Sequence, residues 1–197
     1  MGRRIIVTDY VSADGVIEDP VGMEGSGLGN WTGQFNRGPD GDRFKHDELF
    51  GCESLLFGRV TYTAFAAVWP SVRDETGFAE RINQMPKYVV SNSLEEAHWT
   101  NTTILSGDVL QRIRTLKESP GGDILIYGSA SLVHALASNE LIDAFTLMIY
   151  PTVLGRGKRL FPDGHRIPLE LVDCKLLGSG IVAVRYHVNS VGRGPAI

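Results

Sequence analysis

Two rhythms of apolar residues alternate along the chain. Short runs rich in β-branched and other apolar residues occur at Ile5-Ile6-Val7-Thr8, Ser54-Leu55-Leu56-Phe57, Tyr88-Val89-Val90-Ser91, Thr103-Ile104-Leu105-Ser106, Ile124-Leu125-Ile126-Tyr127 and Phe145 to Tyr150. Between them, apolar residues recur at helical spacing. One such stretch starts near Asp42 or Arg43 and carries Phe44, Leu49 and Phe50; a second begins at Arg59. A third carries Phe78, Ile82 and Met85 and stops at Pro86. A fourth, from Asp108 to Glu118, puts Val109, Leu110, Ile113 and Leu116 on one face. The last carries Leu132, Val133 and Leu136. The end reads as a hairpin: Leu171 to Leu177, a Gly178-Ser179-Gly180 turn, then Ile181 to Val188 with Val182, Val184, Tyr186 and Val188 on one face. Strands alternating with helices predict an α/β protein.

One region breaks the rhythm. Between Asp19 and Asp42 the chain has no periodicity but carries Gly22, Gly25, Gly27, Gly29, Gly33, Gly38 and Gly41. A long irregular segment in a compact protein is usually either functional or disordered. The part from Pro20 to Gly41, with Trp31 and Phe35, is expected to close over a substrate as a lid.

Composition narrows the function classes. The 197 residues, 43% hydrophobic and 21% charged, suit one domain over residues 1–190, with a flexible Gly- and Pro-containing tail at 191–197. A net charge of −4 gives no long-range attraction for nucleic acid or an anionic membrane. Thr8 and Asp9 interrupt the first apolar run at once, so it does not read as a signal peptide, and no run is long enough to span a bilayer. Cys52 and Cys174 lack CxxC partners and read as two buried, reduced thiols of a cytoplasmic protein.

The most informative local pattern is a buried strand that ends in glycine as a helix opens. It occurs at Phe57-Gly58-Arg59-Val60-Thr61 and at Tyr127-Gly128-Ser129-Ala130-Ser131-Leu132. Glycine permits close backbone approach, and the free N–H groups of a helix start attract phosphate oxygens. Two such junctions could hold a pyrophosphate, with Thr61, Ser129 and Ser131 adding hydroxyl donors; equally, any α/β protein needs tight turns there. Other motifs fail. Gly25-Ser26-Gly27-Leu28-Gly29 lacks a preceding strand, and Gly155-Arg156-Gly157-Lys158-Arg159 lacks the spacing of a P-loop. His46, His98, His134, His165 and His187 show no metal-ligand spacing and read as surface or packing residues. Acid–base candidates are Asp42, Asp47 and Glu48 after the glycine-rich segment, and Asp14 in the early turn; against this, Asp42 could be a helix N-cap, and Asp47 and Glu48 a solvated face.

Taken in order, four blocks resemble a known family: Ser12-Ala13-Asp14-Gly15-Val16-Ile17, Leu56-Phe57-Gly58-Arg59-Val60-Thr61-Tyr62, Lys87 to Ser91, and Tyr127 to Val133 continuing through Leu141-Ile142-Asp143 to Tyr150-Pro151-Thr152-Val153-Leu154-Gly155-Arg156-Gly157-Lys158-Arg159-Leu160-Phe161. The chain resembles the reductase (C-terminal) domain of the riboflavin-biosynthesis protein RibD, in its stand-alone bacterial form, within the dihydrofolate-reductase-like superfamily. The resemblance implies a three-layer α/β fold: a central mixed, mostly parallel sheet flanked by helices, with a C-terminal antiparallel hairpin. It implies NADPH across the strand ends, with Gly58, Arg59 and Thr61 at one phosphate turn and Gly128, Ser129, Ala130, Ser131 and Leu132 at the other. Arg59 and Ser91 would meet the adenosine 2′-phosphate. The chain departs from the family in carrying Gly128-Ser129 for paired glycines and Ala144 for an acidic residue. Family spacing back from Gly58 puts a proton-relaying carboxylate at Asp42, with Asp47 the runner-up; Asp14, Trp31 and Phe35 would belong to the substrate side and lid.

The implied reaction is hydride transfer from NADPH to a small pyrimidine- or pteridine-like heterocycle. The nearest named activities are 5-amino-6-(5-phosphoribosylamino)uracil reductase and dihydrofolate reductase. A dinucleotide sensor or scaffold without turnover, and an interaction domain without a small ligand, are the alternatives. A homodimer is also expected, with Phe145 to Ile149 and the hairpin as its interface.

Overall fold

The computed structural model describes residues 2–161, 163–164 and 166–189. Among them, one sheet contains β1 (Ile5–Ser12), β2 (Ser54–Gly58), β3 (Lys87–Val90), β4 (Thr102–Leu105), β5 (Ile124–Tyr127), β6 (Ala144–Tyr150), β7 (Leu169–Leu176) and β8 (Val182–Val188). The strand order is β4-β3-β2-β5-β1-β6-β8-β7. Every pairing among β1 to β6 is parallel, whereas β8 runs antiparallel to both β6 and β7. The helices are α1 (Gly38–Phe50), α2 (Arg59–Val68), α3 (Phe78–Gln84), α4 (Val109–Glu118) and α5 (Ala130–Ser138).

The near-continuous apolar runs reflect burial on both sheet faces. In β2, Leu56 joins a cluster with Ile113 of α4 and Leu132, Val133 and Leu136 of α5. Its neighbours Leu55 and Phe57 join Leu49 of α1, Tyr62 of α2 and Ile82 of α3 in another. Alternation along one strand thus divides the helices between the two faces and gives three layers. Phe57 is fully buried among Tyr62, Phe65, Trp99 and Tyr127. Its truncation to alanine is expected to cost about 3–5 kcal/mol.

Three sequence expectations need correction. The first helix opens at Gly38 rather than at Asp42 or Arg43, because Asn36 Oδ1 accepts the Gly38 N–H (2.9 Å) and Pro39 follows in the first turn. Asp42 is therefore inside the helix, and the N-cap residue is Arg37. The segment Phe145 to Ile149 does not present the free strand expected of it, since β6 is paired on both sides and Phe145 is wholly buried. Cys174 is exposed and only Cys52 is buried, where burial pushes its thiol pKa up to about 12.

The terminal hairpin forms as expected. Its tip also fastens the end of the glycine-rich segment: Gly178 N–H donates to Arg37 O (3.1 Å) and Asn36 N–H to Ser179 Oγ (2.9 Å). β7 is the sheet edge and leaves Leu171, Val172 and Leu176 more than half exposed. No helix among the described residues is long and apolar enough to cross a membrane. The expected tail at 191–197 and His165 lie outside the described residues.

Candidate active site

Parallel pairing of β2 with β5, Leu56 opposite Ile126, brings their carboxyl ends side by side. The strands deliver Gly58 to the start of α2 and Gly128-Ser129 to the start of α5. The two junctions touch. A Cβ on Gly58 would collide with Ser129 Oγ and stand 3.1 Å from Ser129 Cβ. Gly128 takes φ +53°, and a Cβ there would lie 3.3 Å from Thr61 Oγ1. Ser129 itself has φ −85°, so the left-handed position falls on the glycine and not on the serine. Neither N-cap makes a side-chain cap, which leaves the first-turn N–H groups of both helices available to a ligand.

These junctions form one wall of a cleft of about 1060 Å³. Thr61, Gly128, Ser129, Ala130 and Ser131 line it from the junctions, Asp9 and Tyr10 from β1, Asp42 and Lys45 from α1, and Arg37 from the N-cap of that helix. Pro20, Val21, Met23 and Glu24 of the glycine-rich segment close it from above. Asp19 fixes that stretch: its carboxylate accepts from Glu24 N (2.8 Å), Ser26 N (3.0 Å) and Ser26 Oγ (2.9 Å). Glu24 Oε1 in turn accepts from Thr61 Oγ1 (2.9 Å).

Below the cleft lies a polar cluster inside an otherwise apolar interior. Lys45 and Glu48, one turn apart on α1, form an ion pair (2.5 Å), and both are buried. Thr8 Oγ1 accepts from Lys45 (2.6 Å) and donates to Glu48 (3.0 Å). Removing one partner of such a pair leaves an uncompensated charge, at a typical cost of about 3–5 kcal/mol. Burial raises the Glu48 pKa, with Lys45 and Thr8 opposing it. Lys45 also lies over the rings of Tyr10 and Tyr127, at 5.3 and 5.2 Å. Asp9 borders this cluster. Its Oδ2 is sealed from solvent and has no hydrogen-bond partner. Burial pushes its pKa well above the usual carboxylate range; Lys45 opposes the shift, and Glu24 and Glu48 add to it.

The sequence-selected residues separate into those the cleft gathers and those it does not. Thr61, Gly128, Ser129, Ala130, Ser131, Asp42 and Asp47 line it. Gly58 lies behind Ser129, and Leu132 points into the core. Asp42 is exposed and paired with Arg37 (2.6 Å); Asp47 is exposed beside His46. Arg59 is exposed and outside the lining, while Ser91 is buried with its hydroxyl accepting from Ser93 N and Leu94 N. Asp14 holds a distant loop, accepting from Ser12 Oγ, Leu154 N and Gly155 N, bonds that lower its pKa to about 2. Trp31 and Phe35 pack edge-on against Tyr150 rather than facing the cleft, and Val21, Met23 and Glu24 line it from the glycine-rich segment in their place. Glu48 is buried, not solvated. Asp9 went unselected, although it continues the inward positions of Ile5 and Val7 along β1. Among the described residues no cluster of three or more His, Cys, Asp or Glu is placed to hold a metal.

Comparison with known proteins gives this geometry a family. The RibD C-terminal domain model matches residues 3–183. The chain belongs to the RibD C-terminal domain family. It is 32% identical to the uncharacterized Bacillus subtilis protein YyaP over 95% of this chain and 96% of YyaP. A Shewanella sp. PV-4 structure, provisionally named a riboflavin biosynthesis protein, superposes with a TM-score of 0.74 at 18% identity, covering 96% of this chain and 99% of that one. Enterococcus faecalis dihydrofolate reductase, solved with NADP(H), superposes with a TM-score of 0.60 at 14% identity, covering 94% and 96%. The fold is that of the dihydrofolate-reductase-like proteins, a reductase-type fold, as the resemblance implied.

Proposed function

We propose that this RibD-family protein is an NADPH-dependent reductase of a small pyrimidine- or pteridine-like heterocycle, acting in the cytoplasm. One observation carries the reading: two strand-glycine-helix junctions meet on one wall of a single cleft large enough for a dinucleotide and a second ligand. Their chemistry fits the cofactor. The amide groups opening α2 and α5, with Thr61, Ser129 and Ser131, would bind the pyrophosphate, and Gly58 and Gly128 let the two junctions pack closely enough to share it. Arg59, exposed at the first position of α2, is the cation assigned to the 2′-phosphate. When bound, the cofactor supplies two electrons and a hydrogen as hydride. The chain contributes position and dryness: Ile17, Val60 and Phe65 line the cleft, and residues 20–24 cover it.

Titrating NADPH by fluorescence tests the reading, followed by oxidation assays with dihydrofolate and with 5-amino-6-(5-phosphoribosylamino)uracil. Saturable binding is expected, weakened about 100-fold in Gly58→Val, whose side chain would fill the contact between the junctions; that is about 2.7 kcal/mol. Wild-type protein that does not bind NADPH removes the reading. Binding without reduction of either compound moves it to a dinucleotide sensor. The same proposal places a homodimer contact on the exposed edge strand β7 rather than on β6, and a monomeric mass in solution would refute that part.

A further inference from the structure

Three buried side-chain atoms among the described residues lack a hydrogen-bond partner: Asp9 Oδ2, Arg81 Nε and the Tyr127 hydroxyl. Arg81 still donates through another nitrogen to Cys52 O (2.5 Å) and lies away from the cleft lining. Asp9 and Tyr127 line the cleft. Folded proteins rarely leave a buried carboxyl unpartnered, because its lost solvation is not returned.

The sheet order says what Asp9 faces. The phosphate junctions lie at the ends of β2 and β5. On the far side of β2 comes β3, which leads to Ser91; on the far side of β5 comes β1, which carries Asp9. A dinucleotide held with its pyrophosphate across β2 and β5, and its adenosine toward β3, would have its redox-active ring toward β1. Asp9 Oδ1 is 4.0 Å from the position a Cβ on Gly128 would occupy, so the carboxyl borders that turn directly.

We propose that Asp9 is the proton donor of the reaction, a role that rests on the reductase reading above. Reduction of a C=N or C=O bond adds hydride to carbon and moves the π pair onto nitrogen or oxygen. That atom then takes the proton of the Asp9 carboxyl. The O–H bond breaks, an N–H or O–H bond forms, and a carboxylate remains. Lys45 on α1 attracts this carboxylate and limits its cost, while Glu48 on α1 and Glu24 from the glycine-rich segment favour reprotonation from water. Tyr127 of β5 and Tyr10 of β1 line the same cleft. A neutral acid gives up its proton only to a site gaining electrons, so the preferred substrate has an imine-like nitrogen or a carbonyl at the reduced position. Asp42 is less suited, being exposed and committed to Arg37.

The test compares wild type with Asp9→Asn and Asp9→Glu. Infrared spectroscopy of the free protein near pH 7 should show the C=O stretch of a protonated carboxylic acid, absent from Asp9→Asn. NADPH affinity should stay within about threefold, while single-turnover NADPH oxidation with the two heterocycles above falls at least ~100-fold, with partial recovery in Asp9→Glu. An ionised Asp9 at pH 7, or full-rate turnover by Asp9→Asn, overturns the proposal. So does a loss of NADPH binding equal to the loss of rate, which would make Asp9 a cofactor anchor. Wild type that binds no NADPH, or binds it and reduces neither compound, fails at the reductase reading itself and takes this role with it.

Discussion

Lys87 and Asp9 both take an ionisable group out of water, in two regions that treat it differently. Lys87 opens β3 with no solvent exposure, and its three donors are all used: Asn83 O (2.7 Å), Met85 O (2.8 Å) and Thr100 O (3.2 Å), with the Trp99 ring 4.5 Å away. It ties the end of α3 to the approach to β4. Asp9 is no better solvated at Oδ2, yet that atom bonds nothing and the side chain borders a cleft. Burial is common to both. What separates a structural group from a reactive one is bonding capacity left unused beside a cavity.

Substitution should split the pair on stability first. Lys87→Met leaves three carbonyls, one buried and two partly buried, without their donor. Set against relief from burying the ammonium, this should lower the unfolding free energy by about 3 kcal/mol in urea titration, with NADPH affinity unchanged. Asp9→Asn should stay within about 1 kcal/mol near pH 7. Equal losses would erase the distinction.

The two groups should next give opposite pH slopes. Asp9 holds its proton more tightly folded than unfolded, so its contribution is complete at acid pH. That contribution declines as pH rises from the usual carboxylate range through its own raised pKa. Glu48 shifts in the same direction, so the Asp9 share is the wild-type slope minus the Asp9→Asn slope. Lys87 is lowered by burial to about 8 from 10.5, so the unfolded chain binds that proton more strongly and stability should rise with pH between those values. Chemical denaturation from pH 5 to 10, on wild type and both variants, reads both slopes. A Lys87→Met variant that keeps the alkaline rise would assign it elsewhere.

The smallest effect concerns the lid. Glu24→Gln removes a negative charge that raises the Asp9 pKa and weakens the hold on Thr61. The infrared titration of Asp9 should move toward acid, and NADPH should bind two- to fivefold more tightly, roughly 0.4–1 kcal/mol. Unchanged affinity would show that Glu24 does not compete for the phosphate turn.

Much of the fold is legible in the chain because parallel strands buried on both faces read as unbroken apolar runs, and glycines mark where they end. The two junctions are legible for the same reason, though their contact is not: Gly58 and Ser129 meet only because β2 and β5 are neighbours in the sheet. Trp31 and Phe35 in a glycine-rich segment resemble lid residues, and nothing local says that Tyr150, far along the chain, claims them. Glu48 looked solvated because its partner, Lys45, is equally polar and both point inward. Asp9 was readable in principle. An acid at an inward position of a central strand breaks the period-2 pattern of Ile5 and Val7, and that break was the available signal.

The position of β1 also shapes how the chain is made. It is synthesised before every other strand of this sheet, and its partners β5 and β6 come much later, Ile5 pairing with Ile124 and Ser12 with Tyr150. At roughly 5–20 residues per second on the ribosome, Ile5-Ile6-Val7 waits on the order of 6–24 s for a neighbour. Contacts this distant in sequence make folding late and slow. Production should therefore be sensitive to growth temperature and holdase supply, and β1 is the strand that chaperones must shield longest.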